Sequence, residues 1–170
     1  FLFCLILYQL NQVADLFAKG LKSDMIHAMA LTDYLTGLYN RTAFAEHKKL
    51  FYNAMIEQQI PIGVIQFDVN NLKYMNDTFG HEKGDELIKL TAEGLKNSFQ
   101  RFGRCYRMGG DEFLVVLTGN DPEADYRLGI QLLHSYCDEI NQTNMSDFSF
   151  EVAHGFVLSK GQVLEDVIKE

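Results

Sequence analysis

The period of the apolar positions changes several times along the chain, and each change marks an element. From about Asn11 to Thr32, the residues Val13, Leu16, Phe17, Leu21, Met25, Ile26 and Met29 recur near helical spacing, which predicts an amphipathic helix that Gly20 weakens. Gly37 breaks the pattern, and Asn40 is placed to cap a second helix carrying Phe44, Phe51, Ala54 and Met55 on one side. In that helix His47 reads as a solvated surface residue. Pro61 ends it, and the β-branched run from Ile62 to Asp68 predicts a buried strand, followed by a loop over Val69–Asn76. Leu87, Leu90, Leu95 and Phe99 then give a helix over about 83–99.

Next, the apolar residues Cys105-Tyr106 and Phe113–Leu117 flank Arg107-Met-Gly-Gly-Asp-Glu-Phe113, which reads as a tight hairpin turn with acids at its exit. Asp121 and Pro122 start another helix with a stripe of Tyr126, Ile130, Leu133, Cys137 and Ile140, while His134 is peripheral. Residues 148–157 alternate like a strand, in which His154 is given a structural role, and 164–170 begin a last helix. This order predicts an α/β (α+β) sandwich of the ferredoxin-like, palm-type kind, with an antiparallel-containing sheet flanked by helices and a helix in front.

A length of 170 residues fits one domain. Fifteen basic against twenty-three acidic residues, a formal charge of −8, disfavour non-specific nucleic-acid binding and show no polybasic membrane patch. The three cysteines, Cys4, Cys105 and Cys137, have no zinc or disulfide spacing and suit a reducing cytoplasm. The apolar stretch 1–10 is about half of a membrane span, which suggests an upstream partner: the end of a membrane helix or of a sensory domain.

The candidate chemistry is acidic. Asp68 lies at the carboxyl end of its strand, and Asp111 and Glu112 lie at the turn; if the strands are neighbours, Asp68 and Asp111 converge as hard oxygen donors for a magnesium ion holding a triphosphate. Between them, exposed backbone amides around Asn71 and Leu72, together with Lys73, suit phosphate oxygens, and Asn76 offers a donor and an acceptor to a base edge.

Leu35-Thr-Gly-Leu-Tyr-Asn-Arg41, the stretch Asp68–Asp85 and Arg107–Phe113 stand in the order found in the GGDEF domain, the diguanylate cyclase module, which the chain resembles from about Leu31 onward. The resemblance implies an enzyme that condenses two GTP into cyclic di-GMP at a dimer interface, with magnesium, or manganese in its place. It implies metal ligation by Asp68, the Val69 carbonyl and Asp111, with Asp111 catalytic and Glu112 supporting a second metal. It further implies guanine recognition by Asn76 and Asp85, phosphate proximity for Arg107, and a loop-fixing role for His81.

A carboxylate facing guanine's N1–H and amine accepts bonds that adenine cannot offer, which disfavours adenine nucleotides; Asp85 also suits a helix N-terminus. Arg107 reads otherwise as a surface arginine balancing Asp111 or Glu112. Asn70 stands where the family more often has Asp. Gln100 and Gly103 occupy the places of the family's Arg-x-x-Asp inhibitory site, so no product inhibition through that pair is expected. The family's lysine-bearing C-terminal segment is not in the sequence, and the expectation is that the full protein continues. The first helix is read either as a signalling helix pairing with its copy, over residues 1–30 before a catalytic domain at 31–170, or as packing on its own domain. The rival to catalysis is a non-catalytic GTP-binding or dimerising regulatory module.

Overall fold

The computed structural model describes residues 2–143 and 149–159. Five helices and five strands alternate in the order α1 (Leu2–Ala30), β1 (Tyr39–Asn40), α2 (Arg41–Ile56), β2 (Ile62–Val69), α3 (Leu72–Phe79), α4 (His81–Phe99), β3 (Gly103–Gly109), β4 (Glu112–Leu117), α5 (Pro122–Thr143) and β5 (Val152–Ser159). The strands form one sheet in the order β1-β3-β4-β2-β5. All pairings are antiparallel except that of β1 with β3. From β2 onward this is the ferredoxin-like β-α-β-β-α-β arrangement that the element order predicts, with β1 added at one edge.

Alternation along β2 and β4 sends side chains to two separate cores. Ile65, Phe67, Val69, Phe113, Val115 and Leu117 pack with Leu87, Leu95 and Phe99 of α4 and Leu133 of α5. Val64, Leu114, Val116 and Tyr106 pack with Phe44, Phe51 and Met55 of α2. On this second face the apolar run stops before the strand ends: Gln66, Asp68 and Glu112 are exposed.

Several expectations need correction. The segment 72–79 is a helix, because Leu72 is buried and turns the chain inward after Asn71, whose φ of 62° supplies the sharp change of direction an asparagine tolerates. His47 is not a solvated surface residue; its Nδ1 lies 2.9 Å from the Tyr106 hydroxyl, and its ring packs edge-on against Tyr39. Burial, and then the charge of Arg104, hold His47 below its ordinary pKa. The last strand begins at Val152 rather than at 148, after Phe150 is fixed by a backbone N–H donated to Asn141 Oδ1 at 2.7 Å. The expected helix at 164–170 lies outside the described residues.

The N-terminal helix keeps its stripe uncovered. Val13, Leu16, Phe17, Leu21, Met25, Ile26 and Met29 all remain about half-exposed or more, so the helix does not bury this face on its own domain among the described residues. No helix among those residues is long and apolar enough to cross a membrane. Asn40 anchors the exit of α1: its Nδ2 donates to the carbonyls of Ala30 and Thr32, while its Oδ1 accepts the N–H of Ala43 as the expected cap of α2.

Candidate active site

β2 and β4 pair in register so that Asp68 stands opposite Glu112. Directly opposed residues of an antiparallel pair project to the same face. The ladder extends one step further, where the Val69 N–H donates to the Asp111 carbonyl at 3.2 Å. The turn between the strands depends on Gly109 and Gly110, whose φ values of 149° and 54° follow a register shift after Arg107. Only glycine takes such a pair without strain.

Three carboxylates are thereby gathered at one end of the sheet. Partial burial, and then the negative charge of Asp111, push the Asp68 carboxyl above its ordinary pKa. The shift records that the two acids feel each other, and no described cation neutralises the pair. Among the described residues no three Asp, Glu, His or Cys side chains form a complete metal cage. Two carboxylates with a nearby backbone carbonyl at Val69 are nonetheless the hard oxygen set that magnesium takes when substrate phosphates and water fill its remaining positions.

After β2, the start of α3 presents the amides of Leu72 and Lys73, which have no intrahelical acceptor in the first turn. Leu72 itself is buried, so only its backbone is available to a ligand, whereas Asn71 and Lys73 are exposed. Lys73 makes no ion pair with a described residue. At the far end of α3, Asn76 lies against Gly84 of α4, where an added Cβ would collide with Asn76 Oδ1. Asp85 is the next residue and is exposed. The packing of α3 on α4 thus seats Asn76 against the residue that precedes Asp85. His81 is exposed and makes no hydrogen bond with a described residue, contrary to the loop-fixing role expected of it.

Arg107 departs from the sequence reading in a different way. It is not a surface arginine balancing Asp111 or Glu112. Its side chain is 12% exposed and turned to Asp33: Nη1 reaches Asp33 Oδ1 at 3.1 Å, while Nε and Nη2 donate to the Gly110 carbonyl at 3.2 and 2.9 Å. Asp33 Oδ1 also accepts the Thr36 N–H at 3.0 Å and its hydroxyl at 2.7 Å. Burial alone would raise the Asp33 pKa, but the bonds from Thr36 and Arg107 and the arginine's charge outweigh it and bring the pKa below its ordinary value. Sequence reasoning missed Asp33 as this clamp and Gly84 as the seat of Asn76. The Asp-x-x-Thr spacing signals the local turn at residue 33, but nothing local signals a partner 74 residues away.

The pattern of the family described as "Diguanylate cyclase, GGDEF domain" matches residues 30–170. The chain belongs to the GGDEF family. It is 30% identical over 161 residues to the diguanylate cyclase VdcA of Vibrio cholerae, an alignment covering 94% of this chain and 45% of that protein. It is 33% identical over 116 residues to another V. cholerae diguanylate cyclase, covering 68% of this chain and 36% of that one. The chain therefore spans less than half the length of these GGDEF relatives. Among solved structures, the GGDEF domain of DgcB from Caulobacter crescentus, in complex with c-di-GMP, superposes with a TM-score of 0.70 at 25% identity, covering 82% of each chain. The coiled coil and GGDEF domain of the same protein reaches 0.79 at 21% identity, covering 94% of this chain and 85% of that one, a likeness of fold.

Proposed function

We propose that residues 31–170 form a diguanylate cyclase domain, and that residues 1–30 link it to an upstream sensory or membrane segment, so that the enzyme works on the cytoplasmic side. The observation that carries this reading is the convergence of Asp68 and Asp111 at adjoining strand ends in a chain of this family. Two copies face each other, each holding one GTP. The 3′-hydroxyl of one nucleotide attacks the α-phosphate of the other; the new P–O bond forms as the bond to the β-phosphate breaks, and pyrophosphate leaves. Repetition in the opposite sense closes cyclic di-GMP.

In this reading Asp68, the Val69 carbonyl and Asp111 would hold magnesium, or manganese, with Glu112 supporting a second ion. When bound, the metal supplies charge neutralisation at the phosphates and a lowered pKa for the attacking hydroxyl. Asp111 takes up the hydroxyl proton. The amides at Asn71 and Leu72 and the Lys73 ammonium bind phosphate oxygens, while Asn76 and Asp85 read the guanine edge. Arg107 acts by holding the Gly110 carbonyl, and hence the acidic turn, against Asp33. The uncovered stripe of α1 pairs with its copy in the dimer.

The test is incubation of the purified protein with GTP and magnesium, with mass identification of the nucleotide products, beside Asp111→Ala. Cyclic di-GMP from the wild type and a variant reduced to background are expected. Wild-type turnover in Asp111→Ala would sink the assignment, and GTP binding without product in the wild type would favour the regulatory module.

A further inference from the structure

On the face of the sheet opposite Asp68, two histidines from different elements meet. Alternation along β5 puts His154 on the side where α5 packs, and it stands opposite Phe67 of β2. Its ring centre lies 5.8 Å from that of Phe67 and 6.0 Å from that of Tyr126 on α5. His134 follows Tyr126 by about two helical turns, so it lies on the same side of α5. The ring centres of His134 and His154 are 6.2 Å apart, with the planes tilted by 56°.

Packing does not require imidazoles at this place. An aliphatic or aromatic side chain would fill the space beside Phe67 and Tyr126 without bringing polar nitrogens to it. The protonation of His154 is also set. Burial, and then the neighbouring His134, hold it below its ordinary pKa, so the ring is neutral at neutral pH. Its bond to the Val152 backbone acts in the other sense, favouring the ring proton, which makes one ring nitrogen a donor to that carbonyl. In the neutral ring the second nitrogen then carries a lone pair. A histidine with one N–H on a backbone carbonyl and the other nitrogen free is the form in which a metal-bound imidazole is commonly held.

We propose that His134 and His154 form a two-histidine site for a borderline transition-metal ion, zinc, copper(II) or nickel, with water at the remaining positions. Two imidazoles that share such an ion, each nitrogen at about 2.0–2.1 Å, have ring centres about 5–6 Å apart, so small side-chain rotations suffice to close the observed spacing. Among the described residues no third acid, histidine or cysteine joins them. The donor type excludes competition from magnesium, which takes oxygen ligands. The ion would join α5 to β5, a strand that among the described residues pairs only with β2. The site does not depend on the cyclase reading.

Titration of the full chain with zinc in excess magnesium tests this, because magnesium competes at the strand-end acids and not at the imidazoles. Saturable binding with a Kd below about 100 μM is expected, together with a rise in melting temperature on adding zinc. His134→Asn, at an exposed position, and His154→Asn should each weaken binding at least about tenfold and remove the thermal shift, whereas Asp68→Asn should leave both unchanged. No saturable binding by the wild type would overturn the proposal. So would binding that His134→Asn keeps, or binding that Asp68→Asn abolishes. If His154→Asn fails to fold, copper(II) electron paramagnetic resonance decides: nitrogen couplings from two imidazoles in the wild type and from one in His134→Asn are expected, and identical spectra would sink the site.

Discussion

Two aspartates at the same hairpin live under opposite conditions. Asp33 accepts bonds from Thr36 and from Arg107, and its carboxyl is held below the ordinary range. Asp68, one strand pair away, has burial and the charge of Asp111 against it, and its carboxyl is pushed up. The chain places an arginine where the acid needs only to stay in place, and withholds one where two acids meet. An acid that folding leaves uncompensated points to a cation that arrives later. Arg107 completes the contrast, since it stands four residues before Asp111 yet spends its charge on Asp33 and its remaining donors on Gly110.

The sharpest way to break this comparison is Asp68→Asn. The substitution keeps the shape, removes one oxygen charge that the proposed metal would need and relieves the repulsion with Asp111. Turnover of GTP should fall about a thousandfold, equivalent to several kcal/mol of lost charge stabilisation. The unfolding free energy should stay level or rise, by no more than about 0.5 kcal/mol. Initial rates and urea unfolding on the same preparation check both. A fall in stability beyond that range would mean that Asp68 is held by partners in the way Asp33 is.

Asp33→Asn should do the reverse. It keeps an acceptor for Thr36 but strands a guanidinium that is 12% exposed, and should cost about 2 kcal/mol of stability. Activity should fall less than in Asp68→Asn, because the acids themselves are untouched. Calorimetry and product formation at saturating GTP read the two effects.

How far these roles were legible in the sequence depended on whether each was local. Asn40 as a cap, the Gly109-Gly110 hairpin and the strand ending at Asp68 rest on neighbours within a few residues, and the structure agrees with each. The site beyond the acids was read less well. The sequence reads as a loop over Val69–Asn76, while the single buried residue of the helix that forms there, Leu72, carries too little periodicity to show. The Asp33–Arg107 clamp and the His47–Tyr106 contact join residues 74 and 59 positions apart, and only the fold brings them together. Even the convergence of Asp68 with Asp111 was conditional on strand adjacency, which the β2–β4 register now supplies.

Gly84 tests whether Asn76, proposed to read the base with Asp85, is positioned as tightly as the acids. A methyl at this position would strike Asn76 Oδ1, so Gly84→Ala must move Asn76 out of its seat on α4. The expected result is a rise of about tenfold in KM for GTP, the worth of one displaced hydrogen bond, with kcat little changed. Steady-state kinetics distinguishes this from a general packing defect, which would lower the melting temperature and leave KM alone.

The smallest effect is the dependence on pH, and here the two aspartates carry opposite signs. The folded pKa of Asp33 is below its ordinary value of 3.8, so the unfolded chain takes up the proton first; the stabilisation is complete well above 3.8 and is lost as pH falls through the lower, folded value. For Asp68 the folded pKa is above 3.8, so the native state takes up the proton first and gains relative stability as pH falls through that raised value. Urea unfolding of the wild type and both variants at about pH 6 and about pH 3 separates the terms. The deficit of Asp33→Asn should shrink on acidification, because the wild type loses what the variant already lacks. Any advantage of Asp68→Asn should shrink as well, because protonation gives the wild type the neutral group that asparagine supplies at every pH. A deficit of Asp33→Asn that stayed constant with pH would mean that the charge of Asp33, which the bonds from Thr36 and the charge of Arg107 favour, does not account for its role.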